Sequence, residues 1–228
     1  MRTRDLQDIL GPSGRARKAQ AFSSAELLVI ISCLALLVVI FLPALPRFRA
    51  RSYRGGINCA NNMRQIGLAF HTWAIDNRDR FPMQVPVTEG GTRELVDGGV
   101  VFPHFQVMSN ELSTARILLC PEDTRRNWAT NFSAGFSDKN ISYFVNMDST
   151  NGAGASLLAG DRNLTNRAAR GSRLVYLTKP VTLAWDKQLH SQQGYLLFGD
   201  GSVNQFNNRN VSAAIQLQEG VTNRLAIP

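Results

Sequence analysis

The sequence lacks the residue patterns that most enzyme and metal-binding classes require. It has three cysteines and three histidines among 228 residues, and the cysteines do not have the spacing of a zinc module. It contains no phosphate-binding loop and no nucleophile elbow, and it has neither internal repeats nor low-complexity tracts. From the sequence alone we therefore predict no catalytic residue, no metal and no cofactor.

Acidic residues are too few to balance the basic ones, and the formal net charge is +8. A basic folded domain would indicate nucleic-acid binding, but here the charge is concentrated near the N-terminus. Residues 1–21 hold five basic and two acidic side chains, and four arginines follow an apolar run: Arg47, Arg49, Arg51 and Arg54. We interpret this charge as membrane-proximal, attracted to lipid headgroups or neighbouring subunits. We predict no nucleic-acid partner.

Charge is almost absent from residues 22–45, where Glu26 is the one ionisable carboxylate. As a helix this segment would measure about 36 Å, which is enough to cross a bilayer. A plain anchor or an uncleaved signal is the ordinary interpretation. A carboxylate near the head of such a helix costs about 1–3 kcal/mol, so it indicates a functional site with a partner elsewhere. The alternative is a carboxylate that merely reaches the headgroups.

The residues around Glu26 resemble the N-terminus of type IV pilin-like precursors, the family that includes the pseudopilins of type II secretion. A basic leader ends at Ala21, where the family usually has glycine. Phe22 would be the first mature residue, Glu26 the fifth, and Pro43 would stand at the twenty-second position, where the family commonly has a helix-bending proline. The resemblance implies cleavage between Ala21 and Phe22, N-methylation, and pairing of the new amine with Glu26 of a neighbouring subunit.

The same resemblance implies the partners and the location. The partners are a prepilin peptidase, other copies or related pseudopilins, the inner-membrane assembly platform with its ATPase, and membrane lipid. The protein would cross the inner membrane once with its C-terminal domain exported, and would then enter a periplasmic or extracellular filament. An alternative from another class is a membrane-anchored extracytoplasmic binding module that never polymerises.

Four segments follow from these patterns. We predict a cleaved leader at residues 1–21, a transmembrane and assembly helix at 22–46, an amphipathic helix at 47–80, and an exported, β-rich globular domain at 81–228. Pro43 and Pro46 should bend the helix, because proline lacks an amide donor and crowds the preceding turn. The predicted fold class is α+β and pilin-like, with a long N-terminal helix packed on an antiparallel sheet with long loops.

Apolar periodicity defines the amphipathic helix and several strands. Cys59, Met63, Ile66, Phe70 and Trp73 recur every three or four residues, and the helix should end near Asp79. Residues 82–170 lack a clear period and should form short strands and long loops. Strands are predicted at 173–178, 181–185, 195–198 and 202–206, with a hairpin turn at Asp200 and Gly201. Asn210 should cap a short helix that reaches Leu217.

Few polar side chains remain as candidates for chemistry. Cys59 and Cys120 lie in the exported part, where a disulfide is chemically allowed, although two separate thiols remain the alternative. His190, nine intervening residues and then Asp200-Gly201 resemble the element that names a group of pilin-like proteins of planctomycetes and verrucomicrobia. A structural role for His190 and Asp200 is favoured. The weaker alternative is a metal-dependent hydrolase centred on them, with Asp161 as a further ligand.

Overall fold

The computed structural model describes residues 23–41, 56–152, 154–166, 172–180, 182–215 and 222–228. The chain divides into two compact units, Met1–Arg51 and Ser52–Pro228. In the first unit the described residues form helix α1, Ser24–Phe41. The second unit is α+β, with an antiparallel sheet. Ala21, Phe22, Pro43 and Pro46, which carry the predicted cleavage and bend, lie outside the described residues.

Helix α1 is apolar on every side. Ser23 precedes it as the N-cap residue, since the Leu27 amide donates to the Ser23 carbonyl at 3.1 Å. The large apolar side chains between Leu27 and Ile40 are 44–71% exposed, and they are distributed around the whole circumference. None of the helices in the described ranges combines the length and apolarity that crossing a membrane requires.

Helix α2, Gly56–Asp76, is amphipathic as predicted. The face formed by Cys59, Met63, Ile66, Phe70 and Trp73 is buried, which confirms the predicted core-facing positions. The helix ends three residues before the predicted end at Asp79. There the chain turns through Arg78 and Asp79, whose backbones adopt φ angles of 59° and 57°.

Residues 82–118 form short helical turns, and the expectation of short strands in this part is wrong. The apolar piece 116–120 lies largely in a 3-10 helix, Ala115–Leu118, whose Thr114 side chain accepts a hydrogen bond from the Arg116 amide at 3.4 Å. The other 3-10 helices are Pro82–Gln84, Val87–Glu89, Arg93–Gly98 and, later in the chain, Asp138–Asn140. The short α-helices are α3, Phe102–Gln106, and α4, Ser109–Leu112.

Strands begin at residue 143 and form two antiparallel sheets. The strands are β1 Tyr143–Asn146, β2 Leu157–Asp161, β3 Leu164–Asn166, β4 Leu174–Leu177, β5 Leu183–Trp185, β6 Gln193–Phe198, β7 Val203–Asn207 and β8 Asn223–Ala226. Six of them form one sheet in the order β4-β8-β1-β2-β6-β7, and β3 pairs with β5. A short helix, α5 Val211–Ala214, follows Asn210. It ends three residues before the predicted Leu217, and the Asn210 side chain accepts from the Asn207 amide at 2.8 Å and does not cap the helix.

Two hydrophobic cores cover the two faces of the larger sheet. On β1, Tyr143 and Val145 belong to the core that contains α2, whereas Phe144 belongs to the core that contains Trp185. This alternation is expected because successive side chains of a strand point to opposite faces. Strands β2 and β6 also contribute to both cores, with Leu158 and Leu197 in the first and Leu157 and Leu196 in the second.

Candidate functional site

Glu26 is bound at the start of helix α1 by a reciprocal pair of hydrogen bonds. The Ser23 amide donates to Glu26 Oε2 at 2.9 Å, and the Glu26 amide donates to Ser23 Oγ at 3.3 Å. This is a capping box, which satisfies two amides that the helix leaves unpaired. The Ser-x-x-Glu spacing of residues 23 and 26 is the sequence pattern typical of a capping box. From the sequence we interpreted Glu26 only as a docking group and did not use this pattern.

The capped carboxylate retains the capacity to bind a second donor. A carboxylate offers about four acceptor positions, and the Ser23 amide occupies one of them. Its place in the first turn also puts it at the end of the helix where the backbone amides favour negative charge. The local hydrogen bonds therefore fix the direction of the Glu26 side chain and leave acceptor positions of its carboxylate unoccupied.

A second candidate site is a buried polar cluster in the α+β unit. It consists of Cys59 on α2, Cys120 after the 3-10 helix, Asp161 at the end of β2 and His190 before β6. One sulfur, nitrogen or oxygen atom from each of these side chains lies within 4.8 Å of the others. Cys59 and Cys120 are joined by a disulfide, with their Cα atoms 5.3 Å apart. We name these four residues the Cys-Asp-His cluster.

His190 is oriented by contacts on both ring nitrogens. Its Nδ1 lies 2.8 Å from Glu122 Oε2, and its Nε2 lies 3.4 Å from Cys120 Sγ and 3.5 Å from Asp161 Oδ2. The Tyr195 ring packs edge-on against the imidazole at 5.5 Å. Burial lowers the pKa of His190, and the Glu122 charge opposes that effect. Burial therefore favours the neutral form of the imidazole.

Asp161 is a fully buried carboxyl with one unsatisfied oxygen. The Tyr195 amide donates to Oδ2 at 2.7 Å, whereas Oδ1 makes no hydrogen bond to any described residue. Burial raises the pKa of Asp161 to about 8, with the Tyr195 hydrogen bond opposing the rise and the charges of Glu122 and Asp123 adding to it. The carboxyl therefore holds a proton at neutral pH, and its unpaired oxygen is unusual in a protein interior.

The neighbouring carboxylate, Asp123, has the opposite character. Arg162 donates to its two oxygens at 2.6 and 2.7 Å, and Ser142 Oγ donates at 2.8 Å. Burial alone would raise the pKa of Asp123, but the hydrogen bonds from Arg162 and Ser142 outweigh it and lower the pKa. Asp123 is thus a paired structural ion, while Asp161 is left without such a partner.

The loop that carries His190 is held in an unusual backbone conformation. His190, Ser191 and Gln192 have φ angles of 49°, 52° and 67°, which cost on the order of 1 kcal/mol each for residues with side chains. The Asn163 amide nitrogen lies 3.0–3.3 Å from the carbonyl oxygens of Asp186, Leu189 and Gln193. The side chain of Asn163 therefore fixes the loop that aims His190 at Asp161.

His190 and Asp200 do not converge. They flank β6, Gln193–Phe198, whose six residues extend roughly 20 Å. Asp200 instead shapes the turn between β6 and β7, where its Oδ1 accepts the Ser202 amide at 2.9 Å. Gly201 follows with a φ of 80°, so the predicted hairpin is confirmed. A hydrolase centre made of His190 and Asp200 has no geometric support.

The structure brings together residues that the sequence places far apart. Glu122 was missed altogether, and Asp161 entered only as a guess, because no helical or strand period links positions 59, 120, 161 and 190. Comparison with models of protein families, with curated proteins and with solved structures finds no match to this chain.

Proposed function

We propose that this protein is a pilin-like structural subunit that polymerises into a filament of the type II secretion or type IV pilus kind. A prepilin peptidase would first cleave before Phe22. The observation that carries the proposal is the placement of Glu26, a carboxylate in the first turn of a helix whose other large side chains are apolar and exposed. The chain needs no catalytic residue for this function.

The apolar surface of α1 supports assembly. A helix that is hydrophobic all round is stable only when something covers it, and the exposed leucine, isoleucine and valine side chains of α1 have no such cover among the described residues. Helices of successive subunits, with inner-membrane lipid before assembly, would supply it. The contact is head-to-tail and does not close, so it generates a fibre.

Glu26 would set the register of that fibre. Cleavage before Phe22 creates an α-amino group that is mostly protonated near neutral pH, and a charge among apolar helices needs an opposite charge. Glu26 of the adjacent subunit is suited to accept it, because its carboxylate has acceptor positions beyond the one that Ser23 occupies. The α+β unit, with amphipathic α2 against an antiparallel sheet, would then lie on the filament exterior.

Two substitutions separate the charge of Glu26 from its capping role. Glu26→Gln keeps an acceptor for the Ser23 amide, since glutamine also completes a capping box, but it removes the charge. Ser23→Ala removes the cap and keeps the charge, weakening the helix by about 1 kcal/mol. We expect Glu26→Gln to reduce filament yield at least tenfold and Ser23→Ala to leave filaments near normal, as counted by electron microscopy of sheared cells.

The opposite results would contradict the proposal. Normal filaments from Glu26→Gln, with loss in Ser23→Ala, would show that Glu26 acts only as a helix cap. Absence of filaments from the unsubstituted protein, with the α+β unit folded and exported, would favour the membrane-anchored binding module.

A further inference from the structure

The Cys-Asp-His cluster contains a complete set of ligand types for a transition metal. Cysteine sulfur, histidine nitrogen and aspartate oxygen are the protein ligands of zinc, usually four in a tetrahedron. Here two sulfurs, one ring nitrogen and one carboxylate oxygen lie within 4.8 Å of one another, from four separate segments. All four side chains are almost completely buried, with His190 the most exposed at 3%.

Two of the distances within the cluster match those of a tetrahedral site. Zinc bonds of about 2.0–2.3 Å place neighbouring ligand atoms about 3.3–3.8 Å apart. His190 Nε2 lies 3.4 Å from Cys120 Sγ and 3.5 Å from Asp161 Oδ2. A third edge of the tetrahedron joins the two sulfurs, which the disulfide now holds together. When that bond is reduced, a side-chain rotation of either cysteine separates the sulfurs.

We propose that Cys59, Cys120, Asp161 and His190 bind one zinc-like divalent cation when the disulfide between the two cysteines is reduced. The disulfide and the metal are then alternative occupants of the same buried position. The site is in the α+β unit, so it does not depend on whether α1 assembles into a filament.

The surroundings of His190 are those of a metal ligand. Glu122 Oε2 accepts from Nδ1 at 2.8 Å, which places the hydrogen of the neutral imidazole on Nδ1 and leaves the Nε2 lone pair directed at the cluster. Histidines that bind zinc commonly donate their other nitrogen to a carboxylate in this way. The positive φ of His190 and the three carbonyl oxygens around the Asn163 amide nitrogen keep the ring in that direction.

Asp161 provides an independent indication of a ligand. Its Oδ1 is buried and makes no hydrogen bond within the described part of the chain. A buried polar atom without a protein partner usually indicates a bound water or ion, or a catalytic role. A cation bound by both oxygens of the carboxylate would satisfy Oδ1 as well as Oδ2.

The ligand chemistry selects the class of metal. Two thiolates with an imidazole suit zinc and its close analogues, whereas calcium and magnesium prefer oxygen ligands. A surface cleft of about 590 Å³ is lined by Glu122, His190 and Tyr195, so one edge of the cluster borders the surface. Glu122 stands at this opening with a third of its side chain exposed.

Reduction of the disulfide and binding of the metal are two separate steps, and atoms and electrons balance in each. A water-soluble phosphine attacks the disulfide, and with one water it yields two thiols and a phosphine oxide. Phosphorus is oxidised, the sulfurs are reduced, and the water supplies the oxygen to phosphorus and both hydrogens to sulfur. The cation then displaces the two thiol protons, which are released to solvent.

The test uses the full chain in detergent and Co²⁺ as a spectroscopic substitute for Zn²⁺. Cys33→Ser forms the background, because Cys33 is a free, exposed thiol. After phosphine reduction without oxygen, we expect one Co²⁺ per chain, a thiolate-to-cobalt charge-transfer band, and the intense visible bands of tetrahedral geometry. Zn²⁺ should displace the cobalt and bleach both. The oxidised protein should show none of these bands.

Three variants identify the ligands. His190→Ala and Asp161→Asn should each weaken Co²⁺ binding by more than about 100-fold and change the visible spectrum. Glu122→Gln, which alters only the outer carboxylate, should weaken it about 10–100-fold. Glu89→Gln is the matched control, because Glu89 is an exposed carboxylate in an ion pair with Arg80, and it should leave binding unchanged.

Two results would overturn the proposal. One is a reduced protein without the charge-transfer band. The other is a band that persists unchanged in His190→Ala and Asp161→Asn. If reduction unfolds the domain, Zn²⁺ must restore the near-ultraviolet circular dichroism of the tryptophans, and failure to restore it counts against the site in the same way.

Discussion

His104 shows how burial alone sets the charge of a side chain in this protein. It is fully buried on α3, and its Nδ1 lies 2.7 Å from Thr92 Oγ1. Burial lowers the pKa of His104 to about 4, with a hydrogen bond to the Val100 backbone opposing it. Since the ordinary value is 6.5, the folded protein keeps this imidazole neutral where the unfolded chain takes up a proton.

The contribution of His104 to the stability of the α+β unit should therefore fall in mild acid, whereas the raised pKa of Asp161 acts in the opposite direction over the same pH range. Between pH 6.5 and 4 the unfolded chain binds one more proton at His104 than the folded chain does. The contribution of His104 is complete above pH 6.5 and is lost as the pH falls toward 4, by up to about 3 kcal/mol. In urea unfolding followed by tryptophan fluorescence, the difference in free energy of unfolding between the unsubstituted protein and His104→Asn should shrink by up to about 3 kcal/mol as the pH falls from 6.5 to 4.

A matched control separates this effect from general destabilisation. Met108 is fully buried next to the same short helices, and Met108→Ala should lower stability by about 2–5 kcal/mol at every pH because it creates a cavity. The free energy of unfolding of Met108→Ala should change with pH as steeply as that of the unsubstituted protein. An unchanged slope in His104→Asn would assign the acid sensitivity to other groups.

At the scale of elements, helix α2 was predictable and the segment after it was not. The buried positions of α2 recur every three or four residues over 21 residues, which is long enough for the period to be read. Residues 82–118 form turns of three to six residues, too short to show a helical period. Their conformation is set by tertiary packing and by proline at helix starts.

The disulfide links helix α2 to the segment of short helical turns that follows it. Cys59 lies on α2, and Cys120 lies two residues after Leu118, where the 3-10 helix Ala115–Leu118 ends. The bond closes a loop with a sequence separation of 61, and a loop of this length restricts the unfolded chain by about 4 kcal/mol. The sequence showed only that the pairing was chemically allowed.

Removing both sulfurs should destabilise the α+β unit. Under non-reducing conditions with a chelator present, Cys59→Ala combined with Cys120→Ala should lower the free energy of unfolding in urea by about 2–5 kcal/mol. Cys33→Ser, which changes the free cysteine of α1, should lower it by less than about 0.5 kcal/mol. Equal stability of the double variant and the unsubstituted protein would show that the disulfide does not constrain the fold.

At the scale of the whole molecule, the sequence predicted the architecture better than the cluster. The α+β class with an antiparallel sheet follows from local patterns such as the period of α2 and the Asp200-Gly201 turn. The meeting of Cys59, Cys120, Asp161 and His190 depends on how α2, β2 and β6 pack. Such convergence is a long-range property, which no local period contains.

The filament proposal also depends on an event at the level of the whole chain, the removal of the leader. Mass spectrometry of protein from cells that contain a prepilin peptidase should find a mature chain that begins at Phe22. Ala21→Gly should increase the cleaved fraction, because glycine fits an extended chain closely against an enzyme. Ala19→Gly, two residues before the junction, is the control and should leave the fraction unchanged.

Cleavage before Phe22 and pairing of the new α-amino group with Glu26 can be tested together. Without cleavage the α-amino group remains on Met1, twenty-one residues before Phe22, and Glu26 of the next subunit has no cation at the head of the helix. Cells without the peptidase should therefore form no filaments although Glu26 and its Ser23 cap are intact. Filaments built from chains that still begin at Met1 would contradict the pairing, because their assembly would not use the amine that Glu26 is proposed to bind.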